Sequence, residues 1–130
     1  TIPTKPLNQC RVALLTSGGI SRQCDLPWDP DARNDFRMDI IPSDTSEGAF
    51  QIHDSYYDHS DADEDVNTVF PLARLRELVD SGLIGEVAPR HYSGFMGRIY
   101  RRSQVLDVEA PKFAQMLAAD NVDALVAVPA

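Results

Sequence analysis

The sequence is short of cysteine: Cys10 and Cys24 are its only two, too few for a disulfide framework and not spaced as a metal-holding pair. Free thiols suit a reducing compartment, so a cytoplasmic location is expected. Positive charge is scarce as well. Lys and Arg number 12 against 20 Asp and Glu, for a net charge of -8. That balance argues against nucleic acid as a partner, because a phosphate backbone is gripped by clustered cations. No apolar run approaches the ~20 residues of a membrane-spanning helix; Ala124 to Ala130 is typical of the longest runs. No cation-led apolar leader opens the residues given. The glycine spacings of the dinucleotide and P-loop fingerprints are missing, as is any internal repeat. The remaining composition, 43% hydrophobic and 25% charged over 130 residues, is that of a globular chain able to bury one core. Residues 1–10 read as an extended lead-in and residues 11–130 as a single α/β domain.

Arg11 to Thr16 (RVALLT) is a near-continuous apolar run broken by Ser17-Gly18-Gly19, the pattern of a strand buried on both faces and the loop after it. Residues 20 to 35 read as an irregular loop around Trp28. Phe36 to Ile41 alternates until Pro42 halts it, which predicts a second strand. Pro71 to Ser81 is the clearest helix. Leu72, Leu75, Leu78 and Val79 share a stripe, while Arg74, Arg76, Glu77 and Asp80 turn to water. Pro71 suits its first turn and Gly82 the residue past its end. Glu86 to Tyr92 reads as a strand despite Pro89. Asp107 and Glu109 open a second helix with the stripe Phe113, Met116 and Leu117, closed by Asn121. Ala124 to Val128 is the last strand. This alternation predicts an α/β fold with a mostly parallel, Rossmann-like three-layer sheet. The final strand, the most uniformly apolar, is expected at the sheet's centre. With about four strands instead of the usual five or more, the sheet is expected to be incomplete without a C-terminal partner segment.

His53 to Asn67 (HDSYYDHSDADEDVN) gathers five aspartates, Glu64 and two histidines without one Lys or Arg. Such oxygen and imidazole groups can hold a divalent cation, with His53, Asp58 and His59 as candidate ligands, or can position a substrate. A solvated acidic loop capping the following helix is the plainer reading. An EF-hand is excluded, since Val66 stands where the loop needs Gly and Leu72 where it needs Glu. In Arg90 to Gly97 (RHYSGFMG), His91 is either a general acid or base or a hydrogen-bonded structural histidine. Gly94 and Gly97 there allow close backbone approach. Thr16 to Gly19 (TSGG) follows the first strand, where backbone N–H groups often meet anions. Arg98 to Arg102 (RIYRR), the basic cluster, either grips a carboxylate or pairs with the acidic segment across an interface. Cys24 becomes a nucleophile only if a neighbour such as Arg22 lowers its pKa.

Five stretches, RVALLTSGG, IIPSD, HDSYYDHSDADEDVN, FPLARLRELVDSGLIGEVAPRHYSGFMG and VDALVAVPA, occur in that order over residues 11–130. Together they resemble the selenoprotein B family of glycine, sarcosine, betaine and D-proline reductases, most closely its D-proline reductase branch. The order and spacing of His53, Tyr57-Asp58, Asp65 and Asn67, Phe70-Pro71 and Gly94 to Gly97 carry the likeness. The acidic stretch is about one residue longer than the family's.

The resemblance implies reductive cleavage of a carbon–heteroatom bond in a small amino-acid-like substrate. It places a selenocysteine or cysteine nucleophile on polypeptide just after the position of Ala130, often with a second cysteine three positions on. A stop at a selenocysteine codon, cleavage of a precursor, and a separate or unrecorded segment are the open accounts of where that residue lies. His53, His91, Tyr57 and Asp58 are the candidates for moving protons or orienting substrate. Ser17, Gly18, Gly94, Met96, Asn67 and Asp65 are the candidates for binding it. The implied partners are a small-molecule substrate and a C-terminal complement or partner subunit in a homo- or hetero-oligomer, with a pyruvoyl-bearing subunit among the options. No membrane or nucleic acid is expected. The rival expectation is a non-redox scaffold or metal-binding subunit of a hetero-oligomer.

Overall fold

The structure, a computed structural model, describes residues 4–130. Its centre is β1 (Arg11–Thr16). β1 is paired along both of its edges. Val12 to Thr16 lie opposite Ala124 to Val128 of β7 (Ala124–Val128). On the other side Arg11 and Val12 meet β5 (Glu86–Val87), and Leu15 and Thr16 meet β6 (Arg90–Gly94). All three neighbours run parallel to β1. Beyond β6 lies β3 (Met38–Pro42), antiparallel to it from Met38–Gly94 to Pro42–Arg90. A second, two-stranded antiparallel ribbon joins β2 (Ile20–Arg22) to β4 (Phe50–Ile52).

Helices cover both faces of the larger sheet. Val12 and Leu14 point to one face, where they meet Ile41, Phe70, Leu72, Leu75 and Ile84 in the main core. This layer is supplied by α1 (Ser60–Glu64), the short turn behind it, and α2 (Leu72–Asp80). Burial of each such large side chain contributes about 1.5–3 kcal/mol. On the opposite face Tyr92 stacks edge-on against Phe113 with ring centres 4.9 Å apart, and Phe95 meets the same ring at 5.8 Å. Phe113 belongs to α4 (Ala110–Ala119), which continues α3 (Arg102–Gln104) through one wide π-helical turn at Val105–Glu109. The end of α4 is tied to the sheet by Arg90, whose Nε and Nη2 donate to the Asp120 carboxylate at 2.7 and 2.9 Å.

The protein is thus mixed α/β, with a mixed sheet, and several expectations need correction. The region expected to be loop contains β2, and β4 was not anticipated. The strand expected over Glu86 to Tyr92 divides at Ala88-Pro89, because Pro89 has no N–H for the ladder. β3 begins at Met38, two residues later than expected, and includes Pro42. The last helix begins earlier than Asp107, at α3. Leu78 lies off the buried stripe of α2 and is 37% exposed. The Arg76 guanidinium reaches the carbonyls of Ser43 and Thr45 instead of water alone. The central strand is β1. β7 pairs on one side only among the described residues, and Leu125 and Val126 are 38% and 40% exposed.

Candidate functional site

The carboxyl ends of β1 and β7 lie side by side, and the turn Ser17-Gly18-Gly19 crosses them. The Ser17 amide donates to Val128 O at 3.3 Å, and the Ala130 amide donates to Ser17 Oγ at 3.2 Å. Tyr57 Oη donates to Gly18 O at 2.9 Å. A Cβ on Gly18 would stand 3.1 Å from Tyr57 Oη, 3.2 Å from Thr16 Oγ1 and 3.4 Å from Ala130 Cβ, so this cradle fits glycine closely. Gly19 has φ +65° with His53 O crowding the place of a Cβ at 2.5 Å, a backbone position only glycine holds without strain. Its carbonyl accepts from the His53 amide at 3.0 Å, and its amide donates to Met96 Sδ at 3.2 Å. Five of the sequence-derived candidates therefore meet at one place: Ser17, Gly18, His53, Tyr57 and Met96.

Two of these side chains have distinctive surroundings. His53 Nδ1 is buried without a hydrogen-bond partner, an arrangement that costs stability unless something fills it. Tyr57 is pushed up to about 12 by burial, with Asp54 and Asp63 adding to the effect, so its hydroxyl keeps its proton at neutral pH. Beside it, His59 Nδ1 lies 2.8 Å from Asp63 Oδ2. Asp58 is exposed and accepts from the Ser60 amide at 3.1 Å. Its hydrogen bonds to the Ser60 backbone and hydroxyl hold its carboxyl below the usual range. No three His, Cys, Asp or Glu side chains gather in a cation-holding group among the described residues.

Of the other candidates, Gly94 borders this place and the rest lie elsewhere. His91 is fully buried within the sheet. Its Nδ1 accepts from the Leu14 amide at 3.0 Å, its ring stands edge-on to Phe70, and its Nε2 has no partner. Burial pushes it down to about 4. Asp65 and Asn67 bond to each other, Asn67 Nδ2 donating to Asp65 Oδ1 at 2.8 Å and to Glu47 Oε1. Asp65 lines a different cleft of about 380 Å³ between Phe50–Ile52 and Ala62–Val66. Gly94 admits Met38 Sδ to within 2.7 Å of where a Cβ would stand. With Leu15, Ser17, Phe95, Ala127 and Val128, it lines an apolar cleft of about 410 Å³ at the strand ends. Cys24 is exposed, and its thiol donates to Asp25 Oδ1 at 3.9 Å. Sequence reasoning missed the Arg90–Asp120 tie and the contact of Arg98 with Tyr56, since neither pair has a spacing that announces it.

The profile of the glycine/sarcosine/betaine reductase selenoprotein B family matches residues 1–129. A D-proline reductase subunit gamma from Acetoanaerobium sticklandii is 31% identical over 123 residues, which cover 95% of this chain and 50% of that protein. A glycine reductase complex component B subunit gamma from Peptoclostridium acidaminophilum is 33% identical over 130 residues, covering 94% of this chain and 28% of the relative. The chain therefore spans half the length of one curated relative and about a quarter of the other. No solved structure matches it. No helix among the described residues is long and apolar enough to cross a membrane. On the profile and the two relatives together, the chain belongs to the glycine/sarcosine/betaine reductase selenoprotein B family.

Proposed function

We propose that this chain forms part of a cytoplasmic reductase that cleaves a carbon–heteroatom bond in a small amino-acid-like substrate. The reaction is placed at the carboxyl ends of β1 and β7. One observation carries the reading: His53, Tyr57 and Met96, distant in sequence, meet on the turn Ser17-Gly18-Gly19, whose Ser17 contacts Ala130. Its family relatives are reductase components. A thiol or selenol, supplied by polypeptide that continues or docks beyond Ala130, provides the low-pKa nucleophile that displaces the substrate's amine.

The chain's own residues prepare that reaction. Tyr57 stays protonated and fixes the Gly18 carbonyl, holding the turn open for a ligand. His53 Nδ1, with no partner in the fold, is the group free to pass a proton to the departing amine. Ser17 Oγ accepts from Ala130 and keeps its own hydroxyl hydrogen for substrate. The cleft along Leu15, Phe95 and Ala127 shelters the substrate's apolar part. We assign His91 a structural part, as the neutral acceptor for the Leu14 amide.

The partner enters at β7. A strand laid along its unpaired edge would give β7 a second neighbour and extend the parallel side of residues 11–130 toward a Rossmann-like three-layer sheet. Whether that strand comes from a C-terminal complement or another subunit, the assembly is an oligomer or a longer chain. The metal-scaffold alternative finds no gathered ligand set and is not carried further.

The test uses the complete reductase assembly containing this chain, with glycine or D-proline as substrate and a dithiol as electron donor. Gly18→Ala, which presses a methyl against Tyr57 Oη and Ala130, should lower turnover about a hundredfold with the assembly intact. Wild-type turnover in the Gly18→Ala assembly would refute the placement of the site.

A further inference from the structure

In a molecule of net charge -8, cations without carboxylate partners are conspicuous, and here they concentrate in one region. Among the described residues Arg33, Arg76, Arg101 and Arg102 make no ion pair. Arg76 is occupied by the backbone carbonyls of Ser43 and Thr45. Arg33 and Arg101 belong to two loops that are stapled together, and Arg102 opens α3 directly after the second. Asn34 Oδ1 accepts from the amides of Tyr100 and Arg101 at 2.8 and 2.9 Å, and the Asn34 amide donates to Arg98 O at 3.0 Å. Asn34 and Arg98 both hold positive φ, at 53° and 59°, so the staple keeps a backbone that neither residue favours.

Between these loops lies a polar cavity of about 410 Å³ lined by Arg33, Ser55, Tyr56, Arg98 and Tyr100. Arg98 lies over the Tyr56 ring at 5.2 Å. Arg98 is also loosely held. Its contacts with Asp31 O and Oδ1 are 3.3 Å and with Ser55 Oγ 3.5 Å, whereas Arg37 and Arg90 grip their carboxylates at 2.6 to 2.9 Å. Its guanidinium keeps donor capacity. Asp31 is the carboxylate paired with Arg98, while Arg33 has no carboxylate partner among the described residues.

We infer that this cavity is a binding site for the carboxylate of a small organic monocarboxylate, held by Arg33 and Arg98 with the Tyr56 and Tyr100 hydroxyls as further donors. A planar, singly charged group matches a guanidinium fork, whereas a dianionic phosphate would bring a second negative charge toward Asp31, which repels it. The phenol rings give the ligand's body an apolar wall. The inference does not rest on the reductase reading, because binding alone tests it.

The experiment is a titration of the ¹⁵N-labelled full chain with sodium propionate, and separately with inorganic phosphate, at constant ionic strength. Propionate should give saturable amide shifts confined to residues 31–34, 54–56 and 97–101. Arg33→Gln, at an exposed residue with no ion pair, should weaken binding about tenfold, and Tyr100→Phe should weaken it measurably. Arg74→Gln, on α2, should leave it unchanged. Shifts that do not saturate, affinity indifferent to Arg33→Gln, or phosphate binding as tightly as propionate would each overturn the inference.

Discussion

The His91 imidazole gives its Nδ1 lone pair to the Leu14 amide and faces Phe70, with Arg76 close enough to oppose a second positive charge. Protonation would break that hydrogen bond and leave a charge in the core. In the unfolded chain the ring titrates near 6.5, in the fold near 4, so the unfolded state takes up the proton first as pH falls. Stability from this residue is whole above about pH 6.5 and declines by about 3 kcal/mol as pH falls to 4. The aspartates held below their usual range, such as Asp120 and Asp123, act below that window. Urea unfolding between pH 7 and 4.5 should show the decline, and His91→Leu should flatten it while lowering stability at pH 7. An unchanged slope in His91→Leu would assign the proton uptake to other groups. Sequence alone leans toward a structural His91 without deciding between its two parts, because burial to zero exposure is a property of the sheet around it. His53 and Tyr57 were legible as chemistry, but the unpartnered Nδ1 and the bond to Gly18 O depend on which loop folds onto which strand.

α2 shows how far a periodic pattern reaches. Its bounds, the proline before it and the positive φ of Gly82 after it follow from the sequence. Its stripe is narrower than the spacing suggests, since Leu75 is 5% exposed and Leu78 37%. Leu75→Ala should therefore cost about 2–5 kcal/mol, and Leu78→Ala less than about 1 kcal/mol; equal losses in thermal unfolding would contradict the packing. β2 and β4, three residues each, are too short for alternation to register. The helical residues before Asp107 escaped notice for a different reason. Proline cannot donate to the carbonyl a turn earlier, which normally ends a helix, but the wide turn at Val105–Glu109 absorbs the missing bond. β7 was legible to the residue. Its place was not, because a strand's neighbours are set by the chain folded around it.

Over the whole molecule, the larger sheet ends on β3 at one side and on β7 at the other. β3 covers the sheet beyond β6, and Arg90, Asp120 and Asp123 tie α4 to β1 and β6. At β7 the sheet ends on an apolar strand with exposed Leu125 and Val126, beside the cleft of Leu15, Phe95 and Ala127. An edge of that kind invites a further strand, and the candidate site lies at its carboxyl end. Hydrogen exchange of the Ala124–Val128 amides, compared between the isolated chain and the complete reductase assembly, tests this directly. β7 should exchange faster than β1 in the isolated chain and slow by about a hundredfold or more on assembly, as a free edge becomes an interior pairing. Equal protection of β7 in both states would show that nothing joins the sheet there, and would remove the basis for placing the reaction beside Ala130.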